Sequence, residues 1–465
     1  MAKILLIQAA VHKVHIERAQ PLGLLCLASY LRRTRGDEIK IYDMRLAWKQ
    51  FDLATQAFKN FQPDLVGISA HGVDAPAMHQ LARQIKSISP QTPVICGGVH
   101  VTSYWQDVLE EDKNIDCAVI GEGELTFKAL VDAIETCQSP ANVEGIAFRE
   151  NGHATKSFVR PFQIDLDFFP LPSWDLIDID AYGKFPRIGI VYKHPRYMVI
   201  ETARGCPFFC AWCHRSMGEK FRPHSPEYVM SMLEALVKEH QVKDVLIIDD
   251  LFNFKPDRVD RIFELIIEKG LKIAVSIPNG LRADLISEKS LNLWKKAGVY
   301  RIMIAVETAS SRLQKEMGKN LALNHTLNVI KKATELGISV HGNFIIGLPM
   351  ESKEEIWETI RFAARSPMDT FGLYRAIPFK GTALYEMAKA KNIDLPKGEA
   401  IFSIWDLKLN LSSVPLKTIN RARKLAYPLF YLRPKRLYRL LLKMPNRFRL
   451  IPFMVRFFFK KLVSE

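Results

Sequence analysis

The stretch ETARGCPFFCAWCHR, residues 201–215, places Cys206, Cys210 and Cys213 within eight positions, in a 465-residue chain with only seven cysteines. Immediately before them, RYMVIETARG (196–205) is a compact apolar run closing on Gly205, which reads as a β-strand running into a loop. Working outward from this point, five more runs of the same kind follow: DVLIIDD (244–250), KIAVSIPNG (272–280), YRIMIAVET (300–308), SVHGNFIIGLP (339–349) and FGLYRAIP (371–378). Helical patterns such as SPEYVMSMLEALVKEH (225–240) and SKEEIWETIRFAARS (352–366) separate them. Six β/α units in this length predict a partial barrel rather than the eight units of a closed one. The three cysteines then follow its first strand, at the carboxyl end where barrels of this type carry their chemistry.

Working outward toward the N-terminus, the first 145 residues alternate in the same way. KILLIQ (3–8), EIKIYD (38–43), PDLVGISA (63–70), PVICGG (93–98) and DCAVIGEGE (116–124) are separated by helical patterns such as PLGLLCLASYLRR (21–33). This predicts a parallel sheet wound on both faces, with ligands bound beyond the carboxyl ends of its strands. The segments at that edge, QAAV, SAHG, GGVH and GEGE, are small or glycine-rich and let a bulky ligand approach the backbone. Residues 146–190 lack clear periodicity and are rich in Pro and Asp over 162–183, so they read as a linker.

Composition sets limits. With 48% hydrophobic and 25% charged residues the chain is ordinary globular protein, and the apolar run in MAKILLIQAAVHK is too short for a signal peptide. An odd number of cysteines in a chain this long argues against a secreted disulfide framework and for a reducing cytoplasm. The net charge of +15 is concentrated in residues 411–465, which hold fourteen Lys or Arg and the single acid Glu465. There RPKRLYRLLLKMPNRFRLIPFMVRFFFKKLV (433–463) interleaves cations with Leu and Phe. No apolar stretch in it approaches the ~18 residues needed to span a bilayer. Basic amphipathic helices over 425–462 are expected, either lying on a membrane surface or packing against the barrel.

The cysteine spacing alone admits two donor sets. Cys210 and Cys213 suit half of a zinc site, with His214 or His224 as further ligands. A cubane iron-sulfur cluster held by three cysteines is the other. Cys26, Cys96, Cys117 and Cys137 sit in apolar helix or strand patterns and read as buried thiols.

Cys206-Pro-Phe-Phe-Cys210-Ala-Trp-Cys213 resembles the cysteine motif of the radical S-adenosylmethionine (SAM) family. LIIDDLFNF, MIAVETAS and GNFIIGLPMES resemble that family's second-, fourth- and fifth-strand segments, and the front of the chain resembles the cobalamin-binding domain of the subgroup that fuses one to this barrel. The resemblance implies an α/β protein with a cobalamin-binding domain over 1–145, a linker over 146–190, a partial (β/α)6 radical SAM barrel over 191–400 and a basic helical region over 401–465. It implies a [4Fe-4S] cluster on Cys206, Cys210 and Cys213, with SAM bound at the open iron and cleaved to a 5′-deoxyadenosyl radical. It further implies contact of Trp212 with adenine, of Asp249 and Asp250 with the methionine amino group, and of Glu307 near the ribose.

Cobalamin is expected along the sheet edge at Gln8, Ser69, Gly97, Gly98, Gly121, Glu122 and Gly123. The Asp-x-His-x-x-Gly motif of histidine-ligated cobalamin is absent from IQAAVHKVHIERAQPLG (7–23), so base-off binding without His12 or His15 is expected. The implied reaction is methylation of an unactivated carbon, one SAM methylating cobalamin and a second generating the radical. The alternatives are ring closure or rearrangement without methyl transfer, and RNA modification. Expected partners are a small-molecule or lipid-like substrate and an electron donor such as flavodoxin or ferredoxin. Peripheral contact at the inner membrane surface is expected of the tail, and no RNA-binding module follows the barrel.

Overall fold

The computed structural model describes residues 1–11, 18–47, 50–395 and 409–445. These form two compact units, one of residues 1–188 with 215–218, the other of 189–214, 219–395 and 409–445.

In the first unit seven strands form one sheet: β1 (Lys3–Gln8), β2 (Glu38–Asp43), β3 (Leu65–Ser69), β4 (Val94–Gly97), β5 (Cys117–Val119), β6 (Ile146–Glu150) and β7 (His153–Lys156). Their order is β2-β1-β3-β4-β5-β6-β7, parallel through β5 and antiparallel beyond it. Helices α1 (Leu22–Arg35), α2 (Gln50–Phe61), α3 (Ala75–Ile88), α4 (Val99–Glu111) and α5 (Gly123–Glu135) pack on the sheet, and a short α6 (Ile179–Gly183) follows. Ile4 and Leu6 join one core with Leu27, Leu31 and Phe127, while Leu5 and Ile7 join another with Phe58, Met78 and Leu81. Burial on both faces is why these strands read as unbroken apolar runs. The strand order reverses between β1 and β3, so the crevice for a ligand lies beyond the carboxyl ends there.

Two sequence expectations need correction in this unit. Residues 146–156 are not linker: β6 and β7 form a hairpin that extends the sheet, turning at Asn151 and Gly152 with φ of 51° and 86°. Successive positive φ values are what an Asn-Gly hairpin turn requires. Cys137 is exposed just beyond α5, with φ of 54°, whereas Cys96 and Cys117 are buried as expected.

The second unit holds β8 (Tyr197–Ile200), β9 (Ala203–Arg204), β10 (Arg222–Pro223), β11 (Asp244–Ile247), β12 (Ala274–Leu281), β13 (Val299–Glu307), β14 (Ser339–Ile346) and β15 (Thr370–Arg375). Six of them make a parallel sheet in the order β8-β11-β12-β13-β14-β15, and these are the six strands read from the sequence. The order is sequential and the two end strands do not pair, which is a partial barrel. Between and after the strands come α7 (Pro226–Lys238), α8 (Pro256–Glu268), α9 (Glu288–Lys296), α10 (Ser311–Glu316), α11 (Leu323–Glu335), α12 (Lys353–Arg365) and α13 (Ala383–Ala390).

Two C-terminal helices, α14 (Leu416–Tyr431) and α15 (Pro434–Lys443), complete the unit. Phe430 of α14 stacks on Phe371 of the end strand β15, with 4.3 Å between ring centroids, and Tyr427 and Tyr431 flank the pair. The inner face of the basic region therefore packs on the barrel's last strand. Residues 446–462, also expected to be helical, lie outside the described residues. Among the described residues no helix is long and apolar enough to cross a membrane.

Candidate active site

Strand β8 is buried throughout and delivers the chain to Thr202. Immediately after it, β9 pairs antiparallel with β10, Arg204 opposite Arg222 and Ala203 opposite Pro223, so the segment carrying the cysteines leaves and returns at one place. Gly205, with φ of 81°, makes the turn out of β9.

Backbone contacts then fix the loop. The Ala211 N–H donates to the Met317 carbonyl at 2.9 Å, and the Ala211 carbonyl accepts from the Leu384 N–H at 2.8 Å. Its methyl joins a buried cluster with Leu313, Met317, Leu348 and Leu384, against which Trp212 packs half-buried. The Cys213 N–H donates to the Cys210 carbonyl at 3.0 Å, a turn that brings the third cysteine back toward the second. Gly318, with φ of 70°, must be glycine: a Cβ there would lie 2.7 Å from the Phe209 carbonyl.

The thiols are close enough to act on one another's ionisation. Desolvation raises the pKa of all three, and at Cys213, which reaches the surface, the neighbouring Cys210 and Cys206 add to the rise. Lys319 pulls all three in the opposite direction, and Arg282 does the same at Cys206 and Cys210. Arg282 is held in place by stacking 3.8 Å from the Phe208 ring and by donating to the Lys319 carbonyl at 2.9 Å. Three cysteines on one short loop, within electrostatic reach of Lys319 and two of them of Arg282, suit a thiolate donor set spread over a cluster. Among the described residues no three His, Cys, Asp or Glu side chains gather tightly enough for one metal ion. His224, named as a possible zinc ligand, is buried and stacked on Tyr228 with 4.0 Å between centroids. His214 is hydrogen-bonded to the Lys380 backbone.

The acidic residues divide. Asp250 is exposed, accepts the Gly205 N–H and raises the pKa of Cys206 and Cys213, so it stands by the thiols. Asp249 is turned away into the core, where its two carboxylate oxygens take the Thr202 N–H and hydroxyl, each at 2.5 Å. Burial lifts its pKa to about 7. Glu307 ends β13 with φ of 69°, at a register shift against β14, a strained position for a non-glycine residue. It is buried beside Cys210 and Lys319, and burial raises its pKa. Sequence reading missed Arg282 and Lys319, since one basic residue in a loop carries no signal of its own.

In the first unit the expected sheet-edge residues come together at the carboxyl ends. The buried Gln8 amide donates to the Ala9 and Ser69 carbonyls, both at 3.2 Å, tying β1 to β3. Gly98 has φ of 97°, and a Cβ there would meet the Ala70 carbonyl at 2.9 Å and the Ser69 hydroxyl at 3.1 Å. Gly121 donates its N–H to the Thr102 hydroxyl at 3.0 Å, and Glu122 occupies the N-cap position of α5. Gly97 and Gly123 differ. A Cβ on Gly123 would meet nothing within 4 Å, and one on Gly97 only ordinary contacts. Their bareness leaves open backbone, a cradle that fits a broad ligand such as cobalamin. Beside them a cavity of 220 Å³ is lined by Trp105, Leu125, Phe158 and Phe162 among others. His12 and His15 lie outside the described residues.

Comparison with known proteins completes the picture. Residues 200–363 match the Radical SAM superfamily and residues 16–131 match the B12 binding domain. The chain is 33% identical over 439 residues to the uncharacterized methyltransferase PH0819 of Pyrococcus horikoshii, covering 93% of each. It is 28% identical to the cytidylyl-2-hydroxyethylphosphonate methyltransferase of Streptomyces wedmorensis, covering 78% of this chain and 77% of that one. In fold it is similar to the radical SAM methyltransferase TsrM of Kitasatospora setae, with a TM-score of 0.68 at 17% identity, covering 83% of this chain and 78% of that one. It is also similar to the cobalamin-dependent SAM radical enzyme OxsB, with a TM-score of 0.67 at 21% identity, covering 84% of this chain but 55% of that longer one.

Proposed function

Because the chain belongs to the radical SAM family whose members carry a B12-binding domain, we propose that it is an enzyme methylating an unactivated carbon, with Cys206, Cys210 and Cys213 as the ligands of its [4Fe-4S] cluster. The observation that carries this reading is the cysteine loop anchored at the carboxyl end of the first barrel strand, near Lys319 and Arg282, in one chain with a glycine-edged, doubly wound sheet. When bound, the cluster supplies the electron that cleaves SAM to a 5′-deoxyadenosyl radical, and cobalamin supplies a carrier for the methyl group.

The chain's own residues position and shield. Lys319 and Arg282 favour the thiolate form of the cluster ligands. Asp250 presents an exposed carboxylate beside them for the SAM amino group, whereas Asp249 braces β8 through Thr202. Glu307 offers a carboxylate for the ribose, and Trp212 an indole for adenine, held against the Leu313 and Met317 cluster. Gly97, Gly98, Gly121, Glu122 and Gly123 line the cobalamin edge, with Gln8 and Ser69 fixing its strands. Half-buried Met303, His341 and Asn343 form a linked row on β13 and β14, and they are proposed to face the substrate. Burial lowers the His341 pKa to about 3, so this imidazole is neutral and hydrogen-bonds without adding charge. Electrons come from a donor such as flavodoxin or ferredoxin. The enzyme works in the cytoplasm, with peripheral membrane contact through its basic C-terminal helices.

The test is anaerobic incubation of the reconstituted enzyme with methyl-labelled SAM, reductant, cobalamin and a cell extract. Methyl transfer by this route yields a product carrying the labelled methyl, together with S-adenosylhomocysteine and 5′-deoxyadenosine. A product formed with 5′-deoxyadenosine alone and no added methyl would move the assignment to ring closure or rearrangement.

A further inference from the structure

The exposed surface of α14 and α15 sets large apolar side chains among cations, with no acid beside them. In α14 the buried stripe Ile419, Ala422, Ala426 and Phe430 packs inward. Leu425 and Leu429, on the flank of that stripe, are exposed, with Arg421 and Lys424 on the side away from the barrel; Leu432, Tyr438 and Leu442 follow at 65%, 67% and 57% exposure. Exposed cations accompany them: Arg421 one turn before Leu425, then Arg433 and Lys435 at the corner between the helices. No Asp or Glu occurs between Asp406 and Glu465.

Not every cation of the segment is available. Arg436 is buried and donates to the Met368, Ala364 and Ser366 carbonyls, while Arg439 and Lys443 pair with the buried Asp369. These three bind the helices to the barrel. Arg421, Arg433 and Lys435 are exposed on the same two helices as the leucines.

We infer that this face docks the enzyme on an anionic lipid surface, with Leu425, Leu429, Leu432, Tyr438 and Leu442 entering the headgroup boundary and Arg421, Arg433 and Lys435 drawing acidic headgroups. This rests on the peripheral contact proposed above and identifies the surface that makes it. Apolar side chains ringed by Lys and Arg are what interfacial binding uses. Charge argues against other occupants. Residues 446–465 carry five Lys or Arg and one acid, so they repel this face, and a second copy brings the same positive face.

Flotation of the full-length, cluster-loaded protein tests it, with phosphatidylcholine vesicles made with and without phosphatidylglycerol. The protein is expected to float with the anionic vesicles, stay behind with the neutral ones and be released by high salt. The variant Leu425→Gln/Leu429→Gln/Leu432→Gln should lose flotation. Arg421→Gln/Arg433→Gln/Lys435→Gln should bind about a hundredfold more weakly, at about fivefold per basic residue. Both variants should keep the circular dichroism and SAM cleavage of the parent. Equal recovery with both vesicles, or undiminished flotation of both variants, overturns the proposal. So does flotation of a chain ending at Pro445 when the full chain does not float, because the tail is then the occupant. Flotation without SAM cleavage would sink the enzymatic reading and leave the docking face standing.

Discussion

Gly98 and Gly123 lie at the same sheet edge but are glycine for different reasons, and substitution separates them. At φ of 97° and with the Ala70 carbonyl 2.9 Å from a would-be Cβ, Gly98→Ala is expected to cost about 1–3 kcal/mol or more in denaturant unfolding. Gly123→Ala meets no atom and should leave stability unchanged while weakening cobalamin binding. Unchanged cobalamin affinity would show that the open backbone there is not a cradle. Asp249 and Glu351 give a pH prediction. Burial raises their pKa values to about 7 and about 8, and Glu351 accepts the Gly347 and Leu348 N–H groups. In the unfolded chain both ionise near pH 4, so between pH 4 and 8 the folded state holds more protons. Stability is therefore greatest below pH 4 from this source and declines as pH rises through 7 to 8. Asp249→Asn keeps partners for Thr202 and should flatten part of that decline, measured by unfolding at pH 5 and pH 8; an unchanged slope would contradict it. At this scale the cysteines were legible because three ligands share one short loop. Lys319 and Arg282 were not, because they reach the thiols only through tertiary folding.

At the scale of elements, α14 covers the last barrel strand and α15 packs at the amino ends of the strands. Phe430 is fully buried against Phe371 of the last strand, so Phe430→Ala should destabilise by about 3–5 kcal/mol in denaturant titration. A loss under about 1 kcal/mol would mean that the helix does not cover that edge. Arg436→Met removes a buried guanidinium serving carbonyls at the C-terminal end of α12, and should cost more than about 2 kcal/mol. The strands of both units were legible because burial on both faces leaves continuous apolar runs, whose boundaries Gly and Asp mark. The β6–β7 hairpin was missed although Asn151-Gly152 is a strong turn signal. Its strands are short, and only Ile146, Ala147 and Phe148 are buried, so the apolar pattern is weak.

At the scale of the molecule, the chain joins two α/β units of different design. One offers a glycine-edged crevice, and the other carries three cysteines on one loop at the carboxyl end of its first strand. Family membership was legible from the order of motifs along the chain, since each lies where a strand ends and the chemistry of these folds concentrates. The basic tail was only half legible, because charge counting cannot tell Arg436, Arg439 and Lys443, which turn inward, from Arg421, Arg433 and Lys435, which do not. The central claim is that Cys206, Cys210 and Cys213 hold a [4Fe-4S] cluster that drives SAM cleavage. Its most direct measurement is iron, sulfide and zinc analysis of the protein purified without oxygen, beside the Cys206→Ala, Cys210→Ala and Cys213→Ala variants. The account predicts about four irons and four sulfides per chain in the parent, and loss of both from each variant. Stoichiometric zinc without iron in the parent, or a full complement of iron and sulfide in any of the three variants, would contradict it.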